Sequence, residues 1–227
     1  MESPVVIYED NHLLVLEKPV GWLVQADITG DKTLTEWGKG YIKKKYNKPR
    51  EVFLHPAHRI DRPVSGVVLF GRTSKALDRI NKSFRDSRIK KTYIAIVEGI
   101  PPSDKGQLNC WLYKDKKTNR VKAFKRPYGQ AKASLLNYQM LFSKNRWSLL
   151  KIIPITGRAH QIRVQLSDIG CPIVGDLKYG ASKPLLDKGI ALHANQLSFP
   201  HPIKKDEVTF RSKPIRYPFG EIDVGFD

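Results

Sequence analysis

Residues 133–153 read ASLLNYQMLFSKNRWSLLKII. Two apolar-rich runs, Ala133–Leu141 and Trp147–Ile153, are separated by polar turn residues, and short runs bounded in this way are strand signals. Working outward, the same reading repeats. Upstream stand Tyr93–Val97, Gln107–Leu112 and Arg120–Phe124, and before them Val5–Tyr8, His12–Leu16 and the apolar Gly66–Phe70; downstream come Ile190–Leu197 and Val208–Phe210. Helices are few. Thr33 to Tyr46 opens with Thr33 followed three residues later by Glu36, the pattern of a capping box. Ser74 to Arg88 carries Leu77, Ile80 and Phe84 at helical spacing, with Ser74 as its cap. A third helix fits Arg158 to Leu166, stopped by Gly170 and Pro172. Many strands with few helices predict an α+β fold around a long, mixed, mostly antiparallel sheet. At 227 residues one well-packed domain is expected over 1–227, with a Pro-containing tail from about residue 211.

Charge narrows the partner. Forty Lys and Arg stand against twenty-two Asp and Glu, a net +18 with a pI near 9.9. Neutralising phosphates releases condensed counterions, so such an excess favours a polyanion. The basic residues are spread from Lys43–Lys45 through Arg85–Lys91 and Lys114–Lys125 to Lys204–Lys205, which points to a folded basic surface rather than a tail. No basic amphipathic helix with an aromatic face supports a membrane partner. Cys110 and Cys171 are too few for a disulfide framework or a paired-cysteine zinc site. The first residues lack a signal-peptide pattern and no apolar run approaches spanning length, so the cytoplasm is the expected compartment.

Three segments concentrate polar side chains. The first, His55-Pro56-Ala57-His58-Arg59-Ile60-Asp61-Arg62-Pro63-Val64-Ser65-Gly66, precedes an apolar strand. A carboxylate between Arg59 and Arg62 is expected to stay ionised, because adjacent positive charge favours its charged form. His55, His58 and Asp61 could be metal ligands, but Pro56 disfavours a helix that would align them and no further ligand pair stands out; no metal is expected. Gly66 to Thr73 nearly matches a phosphate-cradling loop, yet its four central residues are large and apolar, as in a buried strand. In the second segment, Thr156 to Leu166, a helical wheel puts Ala159, Ile162 and Leu166 on one face with Arg163 at its edge. An Arg held there needs an anionic partner, for which Asp61 is the candidate; the alternative is an Arg163 that snorkels to solvent and a His160 bonded to backbone. In the third, Lys90 to Gly99, Tyr93 could stack on a base or serve as a core aromatic.

Taken in order, these segments resemble a known family. His58-Arg59-Ile60-Asp61-Arg62-Pro63-Val64-Ser65-Gly66 resembles the signature around the catalytic aspartate of RluA-type pseudouridine synthases. Tyr8 to Pro19 is similar to their opening strand pair. Lys91-Thr92-Tyr93 with Gly99, Thr156 to Arg163, Gly175-Asp176 with Tyr179-Gly180, and Leu192-His193-Ala194 with Phe199 to Pro202 match further segments, so the likeness runs from about residue 5 to 202. Val64 replaces the usual Thr and Ile60 the common Leu, which removes a loop hydroxyl but not the Asp. Relatives often carry a small N-terminal RNA-binding module, which the resemblance leads one not to expect here, since the likeness begins at about residue 5. Recognition is therefore expected from the core surface.

The resemblance implies a pseudouridine synthase core with a central cleft, isomerising uridine in tRNA or large-subunit rRNA without metal or cofactor, as a monomer. Asp61 would be the essential carboxylate, acting at the sugar C1′ as glycosidase carboxylates do. Arg163 would hold Asp61 ionised, Tyr93 would stack on the uracil, Arg59 would fill the gap left by the flipped nucleotide, and Leu192 would wall the pocket. The alternatives are a basic RNA-binding protein without catalysis and a metal-dependent nuclease.

Overall fold

The computed structural model describes residues 2–221. In chain order its elements are β1 (Val5–Glu9), β2 (Leu13–Lys18), α1 (Leu34–Lys45), β3 (His55–Pro56), β4 (Ser65–Gly71), α2 (Ser74–Arg85), β5 (Lys90–Glu98), β6 (Lys105–Asp115), β7 (Arg120–Phe124), β8 (Lys132–Lys144), β9 (Trp147–Pro154), α3 (Gln161–Asp168), β10 (Leu192–Pro200) and β11 (Glu207–Arg211). Single 3-10 turns cover Leu177–Tyr179 and Phe219–Glu221. The chain forms two compact units, one of residues up to 91 with 194–213, the other of 92–193 with the segment from 214. Neither is a contiguous stretch, so no linker composition could have marked them.

In the first unit β1 pairs with β2 and β2 with β4, both antiparallel, and β10 pairs antiparallel with β11. Leu13, Leu14, Val15 and Leu16 are all buried because both faces of β2 are covered. Side chains alternate along a strand. Leu13 and Val15 join Val67, Leu69, Leu197, Phe199 and Phe210 in the core that Ile80 and Phe84 of α2 cover. Leu14 and Leu16 meet α1, which approaches so closely that a Cβ on Gly38 would lie 2.7 Å from Leu54 Cδ2. β4 is buried along its whole length, as the apolar run Val67–Phe70 demands. At its start Gly66 has φ +118, and a Cβ there would stand 2.3 Å from the Ala194 carbonyl oxygen. That is a strand packed against strand, not a phosphate loop.

In the second unit β5, β9, β8, β6 and β7 lie side by side in that order, every neighbour antiparallel. One face of this sheet carries α3, whose Val164 packs with Cys110, Leu112 and Val121. The α+β class with a mostly antiparallel sheet flanked by helices is thus what the chain forms.

Three local expectations need correction. The capping box of α1 is present, Thr33 Oγ1 accepting from Glu36 N and Glu36 accepting from Thr33 N. The cap of α2, however, is Thr73, whose Oγ1 accepts from Ala76 N at 3.2 Å; its extended backbone (φ −141, ψ 151) is what a cap requires. The helix also stops at Arg85, three residues early, with Ser87 in the left-handed region (φ 55). α3 begins at Gln161, not Arg158, because His160 is itself left-handed (φ 50, ψ 18). Ala159 is therefore exposed and outside the helix. From residue 214 the expected tail packs into the second unit as far as 221, with Phe219 buried edge-on to His193; its remainder lies outside the described residues.

Candidate active site

Asp61 sits, half-buried, in the loop between β3 and β4 of the first unit. That loop is pinned from both sides. Ala57 N donates to Leu69 O at 2.9 Å, and Leu69 N donates to His58 Nε2 at 3.1 Å. Burial, followed by the charge of Lys91, pushes the His58 imidazole down to about 3. It is therefore neutral at ordinary pH with Nε2 free of a proton, the state that can accept the Leu69 amide. His58 is thus committed to β4. After Asp61 the turn closes through the backbone, Val64 N to Asp61 O at 3.0 Å, so the missing Thr hydroxyl does not open it. Ile60 and Val64 are buried on either side.

A third anchor was not singled out from the sequence. Lys18, 0% exposed, donates from Nζ to Pro19 O (3.0 Å), Trp22 O (2.9 Å) and Arg62 O (3.1 Å). A buried ammonium is tolerated when its protons are so used. Gly21 and Arg62 exchange a second pair of bonds, Gly21 N to Arg62 O and Arg62 Nε to Gly21 O, each 3.0 Å. Lys18, next to last in the Tyr8-to-Pro19 segment, is thus the residue through which the opening turn grips the Asp61 loop.

The arginines beside Asp61 do not serve it as expected. Arg62 pairs with Asp31 at 2.8 Å, and exposed Arg59 has no hydrogen bond or ion pair with any described residue. Adjacent positions on a turn send their side chains in different directions, so sequence neighbours need not pair. Arg59 instead stands in solvent next to a half-buried carboxylate.

In the second unit, Arg163 is 5% exposed and does not snorkel. Its Nε and Nη2 donate to the two carboxylate oxygens of Asp176 at 2.7 and 2.9 Å, and its guanidinium lies 4.9 Å from the Tyr179 ring centroid. Asp176 supplies charge and fork geometry together; the sequence reading had Asp61 alone in view for that role. The His160 side chain bonds to Tyr179, Nδ1 to Oη at 2.6 Å. Buried Gln161 fixes the start of α3: its Oε1 accepts from Arg158 N and Thr156 Oγ1, and its Nε2 donates to Leu135 O.

Tyr93 is half-buried on β5, opposite Ile152, which faces Tyr138, which faces Gly106. Cys110, four residues on from Gly106, packs with Val164, so Tyr93 lies on the α3 face of this sheet. Leu192 opens β10, buried. Tyr93, Arg163 and Leu192 thus belong to the second unit, Asp61 and Arg59 to the first. Among the described residues no cluster of three or more His, Cys, Asp or Glu side chains could hold a metal ion.

Comparison with known proteins gives one consistent family. Residues 12–168 match the model described as RNA pseudouridylate synthase. The chain is 33% identical to the dual-specificity RNA pseudouridine synthase RluA of Pasteurella multocida over 92% of both chains. It is 34% identical to ribosomal large subunit pseudouridine synthase C of Buchnera aphidicola, over 95% of its own length and 68% of that protein. Among solved structures, human RNA pseudouridylate synthase domain containing 4 superposes with a TM-score of 0.75 at 25% identity, covering 92% of this chain and 87% of that one.

Proposed function

The chain belongs to the RNA pseudouridylate synthase family, and on that premise we propose that it isomerises uridine to pseudouridine in structured RNA through the Asp61 carboxylate. One observation carries the assignment of the residue: a half-buried carboxylate on a loop pinned by buried Lys18 and neutral His58, beside an exposed Arg59 that no protein acceptor claims. A rigid mount is what a nucleophile or general base requires, since small displacements cost large factors in rate.

The reaction is balanced within the substrate. The bond from uracil N1 to ribose C1′ breaks, the base turns, C5 bonds to C1′, and the C5 proton is lost while N1 gains one. Asp61 acts at C1′, by attack on the sugar or by drawing off the C2′ proton toward a glycal. Arg59 enters the space left when the uridine leaves its stack, at a cost of a few kcal/mol to the RNA. Tyr93 as the uracil's stacking partner, Arg163 as the guard of the Asp61 charge and Leu192 as apolar wall are roles that the family resemblance supports; all three stand in the second unit, where Arg163 is itself held by Asp176. The relatives' printed names give tRNA and large-subunit rRNA as the substrates to try, with P. multocida RluA named dual-specificity.

The test is tritium release from C5-tritiated tRNA and rRNA transcripts by wild type, Asp61→Ala and Arg59→Ala. Release by wild type and none by Asp61→Ala is expected, with Arg59→Ala impaired on structured RNA. Binding without release by wild type refutes the enzyme in favour of a basic RNA-binding protein; release that persists in Asp61→Ala removes the residue.

A further inference from the structure

We propose that the Lys91 ammonium is a phosphate site, receiving one backbone phosphodiester of the RNA that lies over the Asp61 loop. The inference rests on the RNA-modifying reading above. It starts from the alternation at the beginning of β5. Ile89 is buried in the first unit's core and Lys90 faces solvent, where it approaches Glu207 at 3.5 Å. Lys91 turns to the opposite side and is half-buried.

There it has nothing to hold. Among the described residues no carboxylate, carbonyl or hydroxyl accepts from its Nζ, and no ring lies beneath it. The group that feels its charge is His58, three residues before Asp61, and that imidazole is neutral. Burial alone pulls the Lys91 amine below the usual lysine range. The contrast with Lys18 is instructive: that ammonium is more deeply buried but spends its protons on three carbonyls. A partly desolvated cation with no acceptor costs stability and returns none within the unit. An anion from outside the unit is what would balance it.

The location says which anion. Ile89, two residues before Lys91 and on the same side of the chain, sits in the core cluster against which Ala57 of the Asp61 segment packs, the Lys91 charge acts on neighbouring His58, and Arg59 of that loop is also unclaimed. A nucleotide whose C1′ is at Asp61 carries its own phosphates one sugar away. A charge-assisted N–H to phosphate bond is worth more in such a half-dry place than on the open surface.

The experiment compares wild type, Lys91→Met and Lys91→Arg as full chains, using the transcript that supports tritium release or, if none does, the tRNA transcript. RNA affinity is read from 50 to 200 mM salt, and urea midpoints report the fold. One lost phosphate contact predicts Lys91→Met binding about 5- to 10-fold weaker at 0.1 M salt, with the slope of log K against log salt reduced by about 0.7 to 0.9. Its urea midpoint is expected to be unchanged or higher, whereas a structural lysine would lower it. Lys91→Arg should keep the slope. An unchanged slope and affinity in Lys91→Met overturns the proposal, as does a lowered midpoint with the slope intact. Loss of slope in Lys91→Met beside a wild type that releases no tritium leaves the phosphate site standing and refutes the enzyme. Unchanged binding beside full tritium release does the reverse, and a wild type that binds no RNA refutes both.

Discussion

Replacing Asp176 by Asn keeps the size of the side chain and removes the charge that Arg163 is built around. The pair is dry, with side-chain exposures of 6% and 1%, and it makes two bonds of 2.7 and 2.9 Å. Hydrogen bonds to charged groups are worth about 1.5–3 kcal/mol each, and removing one partner of a buried pair costs about 3–5 kcal/mol because the other charge is stranded. Asn retains one acceptor oxygen, so Asp176→Asn should cost about 3 kcal/mol and Asp176→Ala about 5. For a chain of this size each kcal/mol moves Tm by about 2–4 °C, giving a fall of about 6–12 °C for Asn. The assay is urea denaturation, with the midpoint compared at constant m so that partial unfolding of one unit would be visible. The double variant Arg163→Met with Asp176→Leu closes the cycle: it removes both charges, and should return to within about 1 kcal/mol of wild type while releasing no tritium from RNA. A loss below about 1 kcal/mol in Asp176→Asn, or a double variant no more stable than the single ones, would refute the claim that Asp176 is the charge that pays for burying Arg163.

Two further outcomes are expected. The folded His58 imidazole titrates near 3 against about 6.5 in the unfolded chain, so the folded state binds fewer protons and stability present above pH 6.5 is lost as pH falls toward 3. Between pH 6.5 and 5 the loss should be about 2 kcal/mol; His58→Gln, which keeps an acceptor without titrating, should lack that fraction of the slope in urea midpoints measured against pH, and an identical slope would show that His58 is not held neutral. Gly66→Ala combines a left-handed backbone with a Cβ 2.3 Å from the Ala194 oxygen, so a destabilisation above about 4 kcal/mol is expected; a soluble variant with an unchanged midpoint would mean that β4 and residue 194 are less closely packed than described.

What the chain declares locally, it declares well. The Thr33–Glu36 box, the apolar run of β4, the spacing of Leu77, Ile80 and Phe84, and the strand runs that begin at Trp147 and Arg120 all act within a few residues, so propensity and alternation suffice to read them. Asp61 was legible as a candidate for the same reason, since its motif is contiguous. Partners were not. Arg163 meets Asp176 thirteen residues away through the turn that Tyr179 closes, and Lys18 meets the carbonyl of Arg62 forty-four residues on. The left-handed His160 bonds to Tyr179, nineteen residues on, and the two units interleave four chain segments. A helix or strand is chosen by neighbours along the chain, whereas which charge a buried cation finds is chosen by which distant segments packing brings within 3 Å, and that only the tertiary structure decides.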